Sequence, residues 1–257
     1  ITDTRNSTDN IRDIVAIADL GETERFTNPD FITPGTPTIF DREGDALPAN
    51  ENNSIWEDLR DNPQAKRVDR AVNTLRAAPF NMQQGRDFEK VTARLLSPTE
   101  YTFHPQLGFI SLKTNIQADQ VVAVSYEYTY QGEFYQVGQM AEDVLQNEDA
   151  TTQNVLFTKM LKGTIQPVEL PTWDLMMKNI YNIGAYGVTR DDFRLGIFYE
   201  DPGEGIKQFM PAEEISEVPL LRVFNLDQLN VQNDPQPDGV FDFVDSLTIN
   251  TKTGRIM

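Results

Sequence analysis

The residues best suited to chemistry form an acidic loop near the end of the chain. Counting from Asp234, oxygen donors follow the spacing of a twelve-residue calcium-binding loop, and Gly239 stands where that loop turns sharply. Because every donor is a hard oxygen, with no imidazole or thiolate to favour zinc or copper, the expected ion is calcium in a structural role. The candidate ligands are Asp234, Gln236, Asp238, Val240, Asp242 and Asp245.

Three features of this loop depart from the calcium-binding pattern. Gln236 replaces an acidic ligand, Asp245 stands where glutamate is usual, and prolines at positions 235 and 237 stiffen a segment that must wrap around an ion. The alternative interpretation is a Pro-Asp-Gly turn that leads into a strand over Val240–Val244.

The sequence offers little material for catalysis. His104 is the single histidine and there is no cysteine, so a catalytic triad, a multi-histidine metal site and a thiolate nucleophile are all excluded. No G-x-S-x-G or Walker A pattern occurs, and Gly203-Glu204-Gly205 is followed by Gln208 where a dinucleotide fingerprint needs glycine. The chain is therefore predicted not to be an enzyme and to have no catalytic residues. A glycoside hydrolase stays an alternative, because forty acidic residues could supply a catalytic pair.

The charge balance excludes several partners. Forty acidic residues against twenty-two basic ones give a net charge of −18, which repels the phosphates of nucleic acids and the headgroups of anionic lipids. No apolar run approaches the ~18 residues that a membrane helix requires. We therefore expect no nucleic-acid partner and no membrane span within this chain.

One ten-residue pattern occurs twice. Tyr101–Ile110 and Leu247–Ile256 both read apolar, Thr, apolar, polar, three loop residues, Gly, any residue and Ile. The pattern predicts two hairpins with four-residue loops in which the glycine takes a positive φ. The returning strand continues to Lys113 in the first copy, whereas only Met257 follows the second. We therefore expect these 257 residues to be a piece of a longer protein.

Three segments must position these residues. Residues 1–85 are predicted to be loop-rich, with one apolar segment over Ile11–Leu20 and one amphipathic helix over Lys66–Ala78 that Pro79 closes. Residues 86–145 are predicted to form a first β-rich unit. Its longest strand, Val121–Tyr130, alternates apolar and polar residues and turns at Gln131-Gly132 into a second strand.

Residues 155–257 are predicted to form a second, α+β unit that ends in the repeated hairpin. Thr172 is expected to cap a helix with Trp173, Met176, Met177 and Ile180 on one stripe and Gly184 beyond its end. A strand is expected over residues 192–199, with a turn at 201–205, whereas 220–229 fits helix and strand equally. The fold class is mainly β with some α (α+β), with β-sandwich-like units, hairpins and a few short helices.

Several long strings resemble the SprA (Sov) family. The resemblance covers about residues 86–257 and is weak over the first 85. The strings are Glu89–Val91, Ala93–Tyr101, His104–Leu112, Leu170–Asn179, Asp192–Leu195, Asn225–Asn230 and the Pro-Asp-Gly loop.

The resemblance implies a region of a giant outer-membrane protein of the type IX secretion system, which is tied to gliding motility. Members of this family form a very large β-barrel with sizeable soluble inserts. By this resemblance the chain is a non-catalytic insert or cap, expected in the cell envelope on the extracellular face of the outer membrane, with the periplasmic side as the alternative. The implied partners are the rest of the parent barrel, a PorV-like barrel and secreted cargo.

A surface module that binds carbohydrate or protein is the rival interpretation. Such a module is expected to present a flat, exposed row of tryptophan and tyrosine, whereas a structural insert is expected to bury Trp173.

Overall fold

The computed structural model describes residues 1, 10–21, 41–42, 45–46, 54–106, 108–114, 116–144, 153–201, 203, 205–212 and 215–257. The loops expected over residues 22–40 lie outside this part, as do Leu107 of the first repeat and two residues of the 201–205 turn. The chain divides into two compact units, Ile1–Met176 (unit 1) and Met177–Met257 (unit 2), bounds that differ from the three predicted segments. The fold is mainly β with a few short helices, as predicted.

Unit 1 contains ten strands and four short helices among the described residues. They are β1 (Ile11–Ile17), β2 (Asp41–Arg42), β3 (Asp45–Ala46), α1 (Ile55–Asp61), α2 (Pro63–Lys66), α3 (Ala71–Arg76), β4 (Phe88–Arg94), β5 (Tyr101–His104), β6 (Phe109–Leu112), β7 (Val122–Val124), β8 (Tyr126–Tyr130), β9 (Glu133–Val137), β10 (Leu156–Lys162) and α4 (Pro171–Asp174).

A four-stranded sheet in the order β4-β1-β10-β7 forms the centre of unit 1. β1 runs parallel to β10 and antiparallel to β4, with Ile14 opposite both Leu156 and Val91. From Ile14 onward β1 is buried on both faces of the sheet, which accounts for its apolar run over residues 14–18. Val15 and Ile17 pack with apolar residues of α1 and α3, whereas Ile14 and its neighbour Ala16 pack on the opposite face.

The helix predicted over Lys66–Ala78 is interrupted. α2 ends at Lys66, and α3 begins only at Ala71. Between them, Val68 donates its backbone N–H to Gln153, and Lys66 accepts from Val155, so the chain makes a short antiparallel bridge instead of a helical turn. A tertiary pairing therefore overrides the apolar spacing that predicts one continuous helix.

Two hairpins in unit 1 match the sequence pattern. β5 and β6 pair antiparallel around the loop 105–108, and Gly108 has a φ of 67°. β8 and β9 pair around Gln131 and Gly132, whose φ values of 48° and 84° fit the two-residue turn that hairpins favour. The strand predicted over Val121–Tyr130 breaks at Ser125, because β7 joins the four-stranded sheet and β8 joins β9.

The predicted helix that begins near Thr172 is a single turn. α4 ends at Asp174, and its N-cap is Leu170, with Pro171 and not Thr172 in the first helical position. Short helices depend on packing of an apolar stripe, and Met177 of the predicted stripe is instead exposed.

Unit 2 contains five strands and one helix among the described residues. They are β11 (Tyr181–Asn182), β12 (Tyr199–Asp201), β13 (Gly205–Lys207), α5 (Leu220–Val223), β14 (Ile249–Asn250) and β15 (Arg255–Ile256).

The repeated pattern at the end of the chain also forms the predicted hairpin. β14 and β15 pair around the loop 251–254, and β11 adds a third strand in the order β11-β15-β14. Most of the strand predicted over residues 192–199 is irregular, yet its apolar members Phe193, Leu195 and Ile197 pack on the unit 2 core as their alternation predicts. The strand predicted over Val240–Val244 does not form either.

No helix in the described ranges is long and apolar enough to cross a membrane.

Candidate functional site: the carboxylate loop

The calcium candidates lie in a loop of unit 2, residues 226–245, that we call the carboxylate loop. Its centre is Asp227, whose side chain is fully buried. One carboxylate oxygen of Asp227 accepts the backbone N–H groups of Asp238 and Gly239, at 2.9 and 3.0 Å. The other oxygen lies 3.4 Å from a guanidinium nitrogen of Arg222. Asp227 therefore holds the Pro-Asp-Gly turn against the end of α5.

Asp242 connects the same two sides of the loop in the opposite direction. Its carboxylate accepts the backbone N–H groups of Gln228 and Leu229, with closest distances of 2.6 and 3.1 Å, and its own N–H donates to the carbonyl of Leu226. The two sides of the loop are thus joined by carboxylates that each bind two backbone N–H groups. Charge-assisted bonds of this kind are shorter and stronger than neutral ones.

The remaining calcium candidates are not gathered around one point. Asp238 accepts from its neighbour Val240, and Asn230, which sequence reasoning passed over, accepts from Asp234. Asp245 accepts from the backbone N–H and the hydroxyl of Thr251, and these two hydrogen bonds are the main reason why its pKa is lowered. Gln236 is exposed.

No three histidine, aspartate or glutamate side chains among the described residues are arranged to hold a metal ion. The observed role of the loop carboxylates is to accept backbone N–H groups that would otherwise lack partners in a segment without regular structure. Calcium binding by this loop stays a prediction.

Sequence reasoning missed Asp227, the residue on which the loop depends. The available signal was its position between Leu226 and Leu229, since an acidic residue inside an apolar stretch must find hydrogen-bond partners when it is buried.

Four charged side chains are buried among the described residues of unit 1, and each of them has a backbone partner. Lys162, which is less buried, donates to three backbone carbonyls, those of Ala118, Gln120 and Gly163. Burial lowers the pKa of Lys162, and the nearby charges of Asp119 and Glu89 oppose that shift. Of the four buried side chains, Asp19 accepts the backbone N–H of Gly21, Asp87 accepts that of Gln83 and Glu89 accepts that of Thr164. Lys159 donates to the backbone carbonyl of Ala18.

The described carboxyl groups whose pKa shifts clearly are all shifted downward. They are Asp69, Glu100 and Asp245, and the largest cause in each case is a hydrogen bond that favours the charged form. A general acid for glycoside hydrolysis needs the opposite shift, which keeps its proton at neutral pH. These three groups are therefore unsuited to that role.

No family model matches the sequence, and no curated protein matches it significantly.

Proposed function

We propose that the chain is a non-catalytic contact region of a SprA-like type IX secretion translocon. The sequence strings that resemble that family support the proposal. The observation that carries it is the large apolar surface of unit 2, which suits a region that packs against other polypeptide.

Unit 2 exposes more large apolar side chains than it buries. Six of its apolar residues are buried, whereas thirteen of the nineteen exposed large apolar residues in the described part of the chain belong to this unit of 81 residues. The exposed members are Met177, Tyr181, Tyr186, Phe198, Ile206, Phe209, Met210, Val223, Phe224, Val231, Val240, Leu247 and Met257.

The excess of exposed over buried apolar residues argues that other polypeptide covers part of the surface of unit 2. Single exposed apolar residues are ordinary, but proteins that work alone rarely leave extensive apolar area in water. Tyr181 and Phe224 illustrate the arrangement, since their rings pack edge to face with centroids 6.0 Å apart while both remain more than 40% exposed. Each ring therefore keeps area available for a partner.

The proposed partners follow from the family resemblance. They are the rest of the parent barrel, a PorV-like barrel and secreted cargo, and the proposed location is the extracellular face of the outer membrane. The hydrogen-bonded carboxylates and the single histidine support a structural role rather than a chemical one.

The test removes apolar surface from unit 2 without disturbing its core. The triple variant Phe198→Ser/Ile206→Lys/Val231→Ser changes three exposed residues, and a lysine at 206 lies opposite Glu200, where opposite charges are favourable. A matched control replaces the exposed Gln208, Gln232 and Gln236 with serine. Both variants are placed in the parent gene, and the amount of cargo at the cell surface is measured.

We expect the apolar triple variant to reduce cargo at the cell surface at least tenfold, and the glutamine control to leave it unchanged. The melting temperature of the purified chain should stay nearly constant in both, because exposed substitutions usually change stability by less than about 0.5 kcal/mol. Normal secretion with the apolar variant would contradict the proposal.

A binding module remains the second candidate because of the β8–β9 hairpin. Tyr126, Tyr128 and Tyr130 share one face and are half-buried, and Tyr128 stacks on Tyr135 with ring centroids 4.9 Å apart. Trp173 is also half-buried and so meets neither expectation fully. Binding of the purified chain to a glycan array, lost in Tyr130→Ala, would favour this candidate over the translocon region.

A further inference from the structure

The chain contains a single Asp-Gly sequence, Asp238–Gly239, and no Asn-Gly sequence. It lies in the exposed Pro-Asp-Gly turn of the carboxylate loop, where Gly239 has a φ of 81° that favours glycine. Glycine has no side chain to shield its backbone nitrogen, so attack by that nitrogen on the carboxyl carbon of the preceding aspartate meets little hindrance. The residue that the turn requires therefore also makes this peptide the one that the sequence marks as most open to rearrangement.

The rearrangement needs only water and the chain itself. The Gly239 nitrogen loses its proton and forms a bond to the carboxyl carbon of Asp238, whose protonated oxygen leaves as water, and the product is a five-membered succinimide ring. Water then opens the ring. Attack at the carbonyl from the side chain restores aspartate, whereas attack at the carbonyl from the main chain gives isoaspartate, in which the backbone runs through the former side chain. The final product has the same mass as the original chain.

The side chain of Asp238 is held in position for this reaction. Its Oδ1 accepts the backbone N–H of Val240 at 3.0 Å. That bond closes a ring of atoms that includes the Gly239 nitrogen, so the carboxyl carbon stays near the nitrogen that would attack it. Asp238 and Gly239 are both exposed, which gives water access for opening the succinimide.

Asp227 opposes the same reaction. Its fully buried carboxylate accepts the N–H of Gly239 at 3.0 Å and that of Asp238 at 2.9 Å, and Arg222 holds its other oxygen at 3.4 Å. The bond from Gly239 fixes the peptide plane with its N–H directed at Asp227. Because a like charge nearby disfavours a second negative charge, the carboxylate also resists loss of the proton from the Gly239 nitrogen. The attack therefore requires this hydrogen bond to break first.

We propose that Asp238 is a site of spontaneous isoaspartate formation and that the hydrogen bond from Gly239 to Asp227 controls its rate. Isoaspartate adds one methylene group to the main chain between residues 238 and 239, so the two N–H groups no longer converge on one oxygen of Asp227. Modification thus removes the contact that restrains it and loosens the carboxylate loop. The inference concerns the chemistry of this loop and does not depend on the translocon proposal.

The test follows the modification while the purified full chain is stored at neutral pH and physiological temperature. Peptide mapping with electron-transfer fragmentation distinguishes isoaspartate from aspartate at position 238. We expect Asp227→Asn to form isoaspartate there at least about fivefold faster than the original chain, because a neutral amide holds the Gly239 N–H less strongly than a carboxylate does. An unchanged rate would overturn the proposal. A slower rate would also overturn it, because it would show that the carboxylate promotes the attack.

Asp242→Asn is the matched control. Asp242 also accepts two backbone N–H groups of the carboxylate loop, but they belong to Gln228 and Leu229 and not to the Pro-Asp-Gly turn. The substitution removes the same charge and weakens the same number of hydrogen bonds, so it should change the rate at Asp238 by less than about twofold. Equal acceleration in the two variants would mean that general loosening of the loop sets the rate, and the role of Asp227 would be refuted.

A second comparison needs no variant and so does not depend on whether Asp227→Asn folds. A synthetic peptide of residues 234–242 contains the Asp-Gly sequence but lacks Asp227. Isoaspartate should form in this peptide at least about tenfold faster than in the folded original chain, since the charge-assisted bond to Gly239 is missing. Equal rates in the peptide and the folded chain would show that the observed hydrogen bond gives no protection and would contradict the proposal.

Discussion

Single residues with special backbone or charge requirements fix the local geometry of this chain. Gly108 and Gly254 share a positive φ, but their surroundings differ. A methyl group at Gly254 would lie 1.9 Å from the carbonyl oxygen of Ala185, whereas no atom of the described residues outside its chain neighbours lies within 4 Å of the same position at Gly108. Arg94 and Glu100 form a bidentate ion pair, in which two guanidinium nitrogens lie 2.7 and 2.8 Å from the two carboxylate oxygens. Substitutions at the two glycines and at Glu100 therefore measure how much each of these local contacts contributes to stability.

Replacing the two loop glycines with alanine separates backbone strain from steric overlap. Gly108→Ala should lower the free energy of unfolding by about 1–2 kcal/mol, the usual penalty for a side chain in the left-handed region. Gly254→Ala should lower it by clearly more, because the Ala185 backbone must also move. Urea unfolding of both variants checks this, and equal losses would show that the close approach relaxes freely.

Glu100 should make stability depend on pH under acidic conditions. The hydrogen bond from Arg94 is the main reason why the pKa of Glu100 falls from 4.5 to about 2. A lowered pKa in the folded state contributes stability above the unfolded value, and this contribution disappears as pH falls from about 4.5 to about 2. Glu100→Gln should therefore lose less stability than the original chain over that range, measured as urea midpoints. Parallel curves for the two proteins would contradict this prediction.

At the scale of elements, hydrogen bonds outside regular structure decide the shape of the carboxylate loop. The segment over Val240–Val244 reads as a strand, yet its backbone finds partners in Asp242, Leu226 and Thr248 instead of a neighbouring strand. The helix predicted over Lys66–Ala78 is likewise divided by a bridge to residues 153–155. In the helix a contact distant in sequence replaces the locally preferred element, and in the loop local hydrogen bonds to Thr248 and a longer-range one to Leu226 do so.

Asp227 should be the most sensitive position of the carboxylate loop. Asp227→Asn removes the charge from two backbone hydrogen bonds and from the Arg222 pair, so it should lower the free energy of unfolding by roughly 1–3 kcal/mol. Asp238→Ala loses one local bond to Val240 and should lower it by about 1 kcal/mol or less. Thermal or urea unfolding compares the two, and a larger loss in Asp238→Ala would be inconsistent with the observed network.

The same variants test the calcium interpretation. If the loop binds calcium, millimolar calcium added to chelator-treated protein should raise the melting temperature of the original chain, and Asp238→Ala should remove most of the increase. An equal increase in the two proteins would indicate general screening of negative charge and no specific site at Asp238.

At the scale of the whole molecule, charge and apolar surface act in opposite directions. A net charge of −18 favours dispersed molecules and weakens the compact state through repulsion, whereas the exposed apolar residues of unit 2 favour association. Both properties fit the proposed contact region, which would meet other polypeptide and not a second, equally acidic copy of the chain.

Salt should therefore stabilise the folded chain. Raising sodium chloride from about 10 mM to about 500 mM shortens the screening length several-fold and weakens the repulsion among acidic side chains. We expect the melting temperature to rise across this range in calorimetry. A fall would show that attractive ion pairs, such as Arg94–Glu100, outweigh the net repulsion.

The sequence by itself determined the repeated hairpins, the Gln131-Gly132 turn, the mainly β class and the alternation over residues 193–197. These depend on contacts within about ten residues, on glycine's access to positive φ and on the two-residue period of strands. Only the tertiary structure decided that Asp227 anchors the carboxylate loop, that β1 is a central strand and that a bridge to Asn154 divides the helix predicted over Lys66–Ala78. Those outcomes depend on which distant backbone groups and apolar faces meet, and the same local pattern is compatible with either result.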